Sequence, residues 1–259
     1  MKESWDSVAA KPAPAWYLDQ IVAEQKRKVH LALVQRWTQD LNPRTVLKTD
    51  LFEEAFGTDH VLFDLAPGAD LVVGIDVAQA TVFGARQRSP QTGFSFLASD
   101  VQNLAFRSGS FDLVFSNSTL DHFDTRAELR ASLQELVRTV RPGGLLIVTL
   151  DNPWNPLYPA LRWWSRRAAS PFVLGASASS SDLSRWLEEC GMEVMARDWL
   201  IHNPRGLSTV LFLGLRRLLG SYADLPIRGF LSLFAAIGKL PSRRFTGCFL
   251  AVCARKPRT

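Results

Sequence analysis

Polar residues capable of chemistry stand where apolar, strand-like runs end. Asp76 closes "LVVGID", Asp100 follows "FSFLAS", and Asn117, Asp121 and His122 follow "FDLVF". A carboxylate at the end of a buried strand can accept hydrogen bonds from both hydroxyls of a ribose, and Asp76 lies at the spacing from a first loop that nucleotide sites use. Asp76 equally suits an N-cap for the helix that follows. Asp100 can accept from an exocyclic adenine amine while the amide of Val101 meets the ring, or can be a plain turn residue. An imidazole titrates near neutrality, so His122 is a candidate general base, with Asp121 beside it as a second; such a histidine can also only pack or position a ligand.

These residues need a scaffold that brings strand ends together. "WYLDQIVAEQKRKVHLALVQRWTQDLNP" has helical apolar spacing and a stop at Asn42-Pro43. "TVLK" reads as a first strand, and a short helix follows with Thr58 or Asp59 as N-cap and Pro67-Gly68 as its end. "LVVGID", "FSFLASD" and "FDLVFSNS" are further strands, with "VAQATVFGARQR" a helix between the first two and "TRAELRASLQELVRTV" a helix after the third. Arg141-Pro142-Gly143-Gly144 then turns into a fifth strand, "LLIVTLD". That alternation predicts βαβ units and a parallel sheet with helices on both faces. Downstream come a Pro/Trp/Ser-rich segment, a helix "SDLSRWLEECG" capped by Ser181 or Asp182, and two strands, "MEVMARDWLIHN" and "TGCFLAVCARK", separated by a helical pair.

Length and charge set limits. A chain of 259 residues suits one α/β domain with a cap rather than two full domains. Three cysteines, Cys190, Cys248 and Cys253, form no metal-ligand spacing and no even disulfide set, so a reducing, cytoplasmic compartment is expected. The first residues lack the apolar core of a signal peptide, and the later apolar runs are too short to span a bilayer. From residue 160 onward, 15 Lys/Arg stand against 6 Asp/Glu. A basic C-terminal third could face a membrane, an anionic substrate or nucleic acid, or only water.

The segments "VVGIDVAQATVFGAR", "SDVQNLAFRSGSFDLVFSNSTLDHF", "LQELVRTVRPGGLLIVTL" and "LSRWLEECGMEV", in that order, resemble the class I S-adenosylmethionine-dependent methyltransferases, in particular the small-molecule group containing the ubiquinone and menaquinone biosynthesis enzymes. The resemblance implies a Rossmann-like, seven-stranded, mostly parallel sheet whose final strand is antiparallel, with a helical and aromatic cap. Together with the residue pattern it divides the chain into a helical N-terminal cap at 1–41 and a methyltransferase domain at 42–259, whose irregular and helical stretches at 152–180 and 204–244 are expected as insertions forming the substrate cap. It also implies S-adenosyl-L-methionine as donor, with Asp76 on the ribose, Val77 beside the adenine, Asp100 and Val101 at the adenine edge, and Asn117 at the methyl end.

One stretch departs from that pattern. The family has a glycine-rich turn after its first strand, whereas this chain has Lys48-Thr49-Asp50-Leu51-Phe52-Glu53-Glu54-Ala55-Phe56-Gly57. Acids there would repel a pyrophosphate but could pair with the ammonium or sulfonium of S-adenosylmethionine. Lys48, Thr49, Asp50, Glu54 and Gly57 are therefore expected at the donor. Lys48 could meet the methionine carboxylate or pair with Glu53 or Glu54, and a decayed surface loop is the alternative.

The acceptor would be held by the variable parts, with Tyr17, Trp154, Tyr158 and His202 as expected contacts. Their aromatic and apolar surroundings suit a small hydrophobic or lipid-like substrate, methylated on oxygen or carbon. Interleaved arginines also fit a peripheral membrane contact. Nucleic acid is disfavoured, because an "NPPY"-type motif is absent after the fourth strand and "DNPWNP" follows the fifth instead. A methyltransferase-like binding protein without catalysis, or a nucleic-acid or protein methyltransferase, are the competing readings. No metal is expected, and the oligomeric state is left open.

Overall fold

The structure, a computed structural model, describes residues 19–89, 93–166 and 174–258. Tyr17 and the start of the expected N-terminal cap lie outside the described residues, as does part of the first insertion. Seven strands form one sheet in the order β3-β2-β1-β4-β5-β7-β6. They are β1 (Thr45–Thr49), β2 (Leu71–Asp76), β3 (Phe94–Ala98), β4 (Phe111–Asn117), β5 (Val140–Asp151), β6 (Glu193–Leu200) and β7 (Phe249–Arg255). All neighbours from β3 to β5 pair in parallel, and β7 is antiparallel to both β5 and β6.

Alternation along the central strands separates two cores, because successive side chains point to opposite faces. Val46, Leu113, Leu145 and Ala251 pack on one face, against Leu33 and Val34 of helix α1 (Gln20–Trp37). The same face carries the short helices α2 (Phe52–Phe56) and α3 (Val61–Asp64) and helix α4 (Gln79–Arg88). Leu47, Val114, Leu146 and Val252 pack on the other, against α5 (Arg126–Thr139) and α7 (Ser180–Glu189). Helix α6 (Tyr158–Ser165) lies in the first insertion. The second insertion folds as α8 (Leu207–Leu219), a 3-10 turn Gly220–Ala223, α9 (Asp224–Ile237) and the short α10 (Arg243–Thr246). Ile21 at the start of α1 joins Phe212, Ala223, Ile227 and Leu231 in a third, smaller core. Helix α1 thus bridges sheet and cap.

The chain runs β1-β2-β3 toward one edge and then returns to place β4 on the other side of β1. That reversal opens a crevice outside the carboxyl ends of β1 and β4, where such sheets bind ligands.

Several local expectations change. The first loop is helical over Phe52–Phe56, and the helix expected after Thr58 shortens to Val61–Asp64. Neither Thr58 nor Asp59 caps it: His60 is its N-cap, without a side-chain bond. Helix α7 is capped by Ser179, whose hydroxyl accepts from the Asp182 amide at 3.1 Å, not by Ser181 or Asp182. Three consecutive serines at 179–181 offer the same hydroxyl, so composition could not choose among them. β5 begins at Val140, ahead of Arg141-Pro142-Gly143-Gly144, with a register shift opposite Phe111/Leu113.

Candidate active site

Two bends of the chain build the wall of the crevice at β1 and β2. Asp50 follows β1 with φ of 67°, a left-handed conformation that Asp tolerates better than most residues. Its carboxylate accepts the Phe52 amide at 2.8 Å, closing the turn without a glycine. The next residue, Leu51, is fully buried and presses on β2 at Gly74. A Cβ at Gly74 would meet Leu51 Cδ2 at 2.5 Å and Leu62 Cδ2 at 2.9 Å, so the glycine that admits this loop sits in the neighbouring strand.

The Leu51 amide donates to Asp76 Oδ2 at 3.0 Å, and the Ala78 amide donates to Asp76 Oδ1 at 2.9 Å. Each carboxylate oxygen can take a second donor. Burial, and then the nearby Asp50 carboxylate, push Asp76 up to about 6. Two acids held this close favour a cation between or beside them.

The three acids of the loop separate cleanly. Glu54 is buried, pairs with Lys48 Nζ at 2.9 Å and accepts the Leu62 amide at 2.9 Å. Lys48 Nζ also donates to the Asp50 carbonyl. Burial opposes the charge on Lys48, but Glu54 and Asp50 more than offset it and hold the ammonium above its ordinary range. Glu53 pairs with Lys26 of α1, which also lies 3.6 Å from the buried Asp59. Asp50 has no lysine or arginine in ion-pair contact among the described residues.

One continuous cleft of ≈ 2790 Å³ runs from this wall to the cap. A single small-molecule pocket is usually about 300–1,000 Å³, so there is room for a nucleoside and a bulky second ligand. Lys48, Thr49, Asp50, Asp76, Val77, Asp100, Val101, Asn117, Asp121, His122 and His202 all line it. Val77 is half exposed on the wall and Val101 is buried. Asp100 turns one oxygen to the Gln102 amide at 2.9 Å. Asn117 accepts the Thr149 hydroxyl at 2.9 Å, and the Thr49 hydroxyl lies 2.5 Å from that of Thr119.

At the far end, Asp121 sits in the 3-10 turn Leu120–His122 with Oδ2 accepting the Asp151 amide at 2.7 Å. Its Oδ1 is buried without a hydrogen-bond partner among the described residues. Burial, and then Asp151, push this carboxyl up to about 7. Arg205 pairs with Asp151 from the start of the second insertion. Gly175 brings its backbone against this turn, donating its amide to the Asp121 carbonyl at 2.8 Å; a Cβ there would meet that same oxygen at 2.6 Å.

Four expected contacts are placed elsewhere. Glu54 and Gly57 lie off the cleft: Glu54 is committed to Lys48, and Gly57 ends α2 with its amide on the Glu53 carbonyl at 3.0 Å. Lys48 lines the cleft and pairs with Glu54, one of the two glutamates expected as its partner. Trp154 stacks on Phe245, ring centroids 5.9 Å apart, outside the cleft. Tyr158 donates weakly to the Gly175 carbonyl at 3.5 Å and faces a separate small cavity with Asn155, Arg205 and Cys248. His202 does line the cleft, held 2.9 Å from the Thr246 hydroxyl and 3.1 Å from the Trp199 carbonyl. Sequence reasoning missed Asp151 and Arg205. Asp151 ends "LLIVTLD" as Asp76 ends "LVVGID" and could have been found by the same rule; nothing marked Arg205.

This is the fold of the class I S-adenosylmethionine-dependent methyltransferases, with carboxylates at the carboxyl ends of its second and third strands. Residues 53–148 match the family model described as a methyltransferase domain. It is 31% identical over 147 residues to a demethylmenaquinone methyltransferase of Beutenbergia cavernae, covering 56% of this chain and 57% of that protein. It is 30% identical over 169 residues to a 2-methyl-6-phytyl-1,4-hydroquinone methyltransferase of Synechocystis, covering 62% and 52%. The chain spans little more than half the length of these relatives. In fold it is similar to the N-methyltransferase NodS of Bradyrhizobium japonicum solved with S-adenosyl-L-homocysteine, with a TM-score of 0.62, 18% identity, and coverage of 98% and 97%.

The buried Lys48–Glu54 pair makes a stability prediction. Glu54→Ala strands a buried ammonium and should cost about 3–5 kcal/mol, while the double variant Lys48→Met/Glu54→Leu should recover most of that loss in urea unfolding. A second concerns pH. Between about 4 and 7 folded Asp121 holds a proton that the unfolded chain has released, so its contribution to stability falls as pH rises through that window. Asp121→Asn should therefore be about 1–2 kcal/mol more stable than wild type above pH 7, an advantage that thermal melts should show vanishing toward pH 4.

Proposed function

We propose that the protein transfers a methyl group from S-adenosylmethionine to a small hydrophobic, lipid-like acceptor. The observation that carries this reading is Asp76: it lines the cleft, and each of its oxygens takes one backbone amide and has a further acceptor position. Two free acceptor positions on one carboxylate match the two hydroxyls of a ribose. Asp50, close by and in no ion-pair contact with a lysine or arginine among the described residues, suits the methionine ammonium. Glu53 and Glu54 are already engaged. Asp100 and the Val101 amide remain the candidates for the adenine edge.

When bound, the donor supplies a methyl carbon activated by its sulfonium. The residues of this chain must then align the acceptor, exclude water and, for a hydroxyl acceptor, take a proton. Asp121 and His122, on one turn that lines the cleft, are the candidates to take it. For an activated carbon, alignment between Asn117 and the cap would suffice.

The acceptor class rests on three features: the size of the cleft, its lining of Leu157, Leu161, Phe212 and Leu231 from the insertions, and relatives named for a menaquinone and a phytyl-hydroquinone. Calorimetry with S-adenosylhomocysteine is the test. Wild type should bind, and Asp76→Ala should bind about 100-fold more weakly, from the loss of two charge-assisted hydrogen bonds. No binding to folded wild type would reject the reading.

A further inference from the structure

Helix α8 is apolar on two sides, and the cap covers only one. Phe212 and Leu215 turn inward to the small core shared with α1 and α9. Leu207, Val210, Leu211 and Leu218 recur at helical spacing on the other side and remain exposed, Val210 at 71% and Leu218 at 81%. The turn to α9 continues the apolar surface with Tyr222 at 84% and Leu225 at 81%. Scattered surface leucines need no explanation, but a continuous stripe ending in three almost fully exposed large side chains does.

The segment that carries the stripe is strongly basic. Residues 204–244 contain seven Lys/Arg and one acid, Asp224. Arg216 is engaged with Asp224 and with Asp19 beside α1, and Arg228 with Glu24 of α1, so that Asp19 and Glu24 tie the cap to α1. Arg217, Lys239 and Arg244 are exposed and make no ion pair among the described residues. The stripe also adjoins the cleft. Trp164, Leu207, Val210 and Leu213 line the cleft and are at the same time exposed, so its mouth opens through the apolar surface.

We propose that this face docks the protein on an anionic lipid bilayer, with Leu218, Tyr222 and Leu225 entering the interface and Arg217, Lys239 and Arg244 meeting the headgroups. An amphipathic helix with apolar and cationic residues lies in the plane of such a surface, buried by its apolar side and attracted by its charge. Among the described residues no helix is long and apolar enough to cross a membrane, in keeping with surface docking. The cleft mouth would then face the acyl chains, and an apolar acceptor could enter without crossing water. This deepens the lipid-like acceptor reading, though docking itself does not require methyl transfer.

The experiment is flotation of the full chain with vesicles of phosphatidylcholine alone and of phosphatidylcholine with phosphatidylserine. It includes the variants Leu218→Ser/Tyr222→Ser/Leu225→Ser and Arg217→Glu/Arg244→Glu. Thermal melts and S-adenosylhomocysteine binding check that each variant is folded; none of the five positions lines the cleft. Wild type should partition at least about tenfold better onto the anionic vesicles, and both variants should lose at least about tenfold of that binding. Absence of flotation, or variants that float like wild type, would overturn the proposal. So would sedimentation showing that wild type self-associates through the patch, with the triple variant monomeric and neither bound to vesicles. Flotation without S-adenosylhomocysteine binding would keep the surface and reject the methyl-transfer reading.

Discussion

The carboxylate of Asp76 is where fold and site meet. Through the Leu51 amide it ties the loop after β1 to the end of β2, and through the Ala78 amide it starts the backbone toward α4. That tie helps to fix Asp50, whose carboxylate accepts the Phe52 amide and whose carbonyl accepts from Lys48 Nζ. The Lys48–Glu54 pair reinforces it from beneath, tying β1 to α2 and, through the Leu62 amide, to α3. A buried pair of this kind contributes little net stability, but with one partner removed it strongly disfavours the fold. It fixes a conformation.

That arrangement explains how a nucleotide-type loop can do without its glycines. A glycine-rich turn allows left-handed backbone and close approach of the ligand. Here Asp50 adopts the left-handed conformation, and the close approach occurs between Leu51 and the bare backbone of Gly74. The loop gains a buried leucine and keeps an acid at the cleft. Such a loop is poorly suited to a pyrophosphate and well suited to a ligand with a positive end.

The sheet was legible in the sequence because its strands are short apolar runs that end in polar residues, as in "LVVGID" and "FDLVFSN". Asp76, Asp100 and Asn117 followed from the rule that ligands meet the carboxyl ends of parallel strands. What the sequence hid depends on contacts between distant residues. Nothing in "KTDLFEEAFG" says that Glu54 turns inward to Lys48 while Glu53 turns outward to Lys26, because that choice is made by the phase of a five-residue helix and by α1 packing across it. Trp154 and Tyr158 suggested an aromatic acceptor site, yet the Asn152 and Asn155 bonds to the backbone before β7 rotate that segment so that Trp154 stacks on Phe245 instead. Arg205 had no local signal, since its partner Asp151 lies 54 residues away.

The central claim is that Asp76 holds the donor ribose while Asp50, and neither glutamate, faces the methionine ammonium. A crystal structure of the protein with S-adenosylhomocysteine tests it most directly. Both ribose hydroxyls should lie within hydrogen-bond distance of the Asp76 carboxylate, the amino group beside Asp50, and Lys48 still against Glu54. A ligand bound with its ribose away from Asp76, or a Lys48 released from Glu54 to meet the ligand carboxylate, would contradict the account.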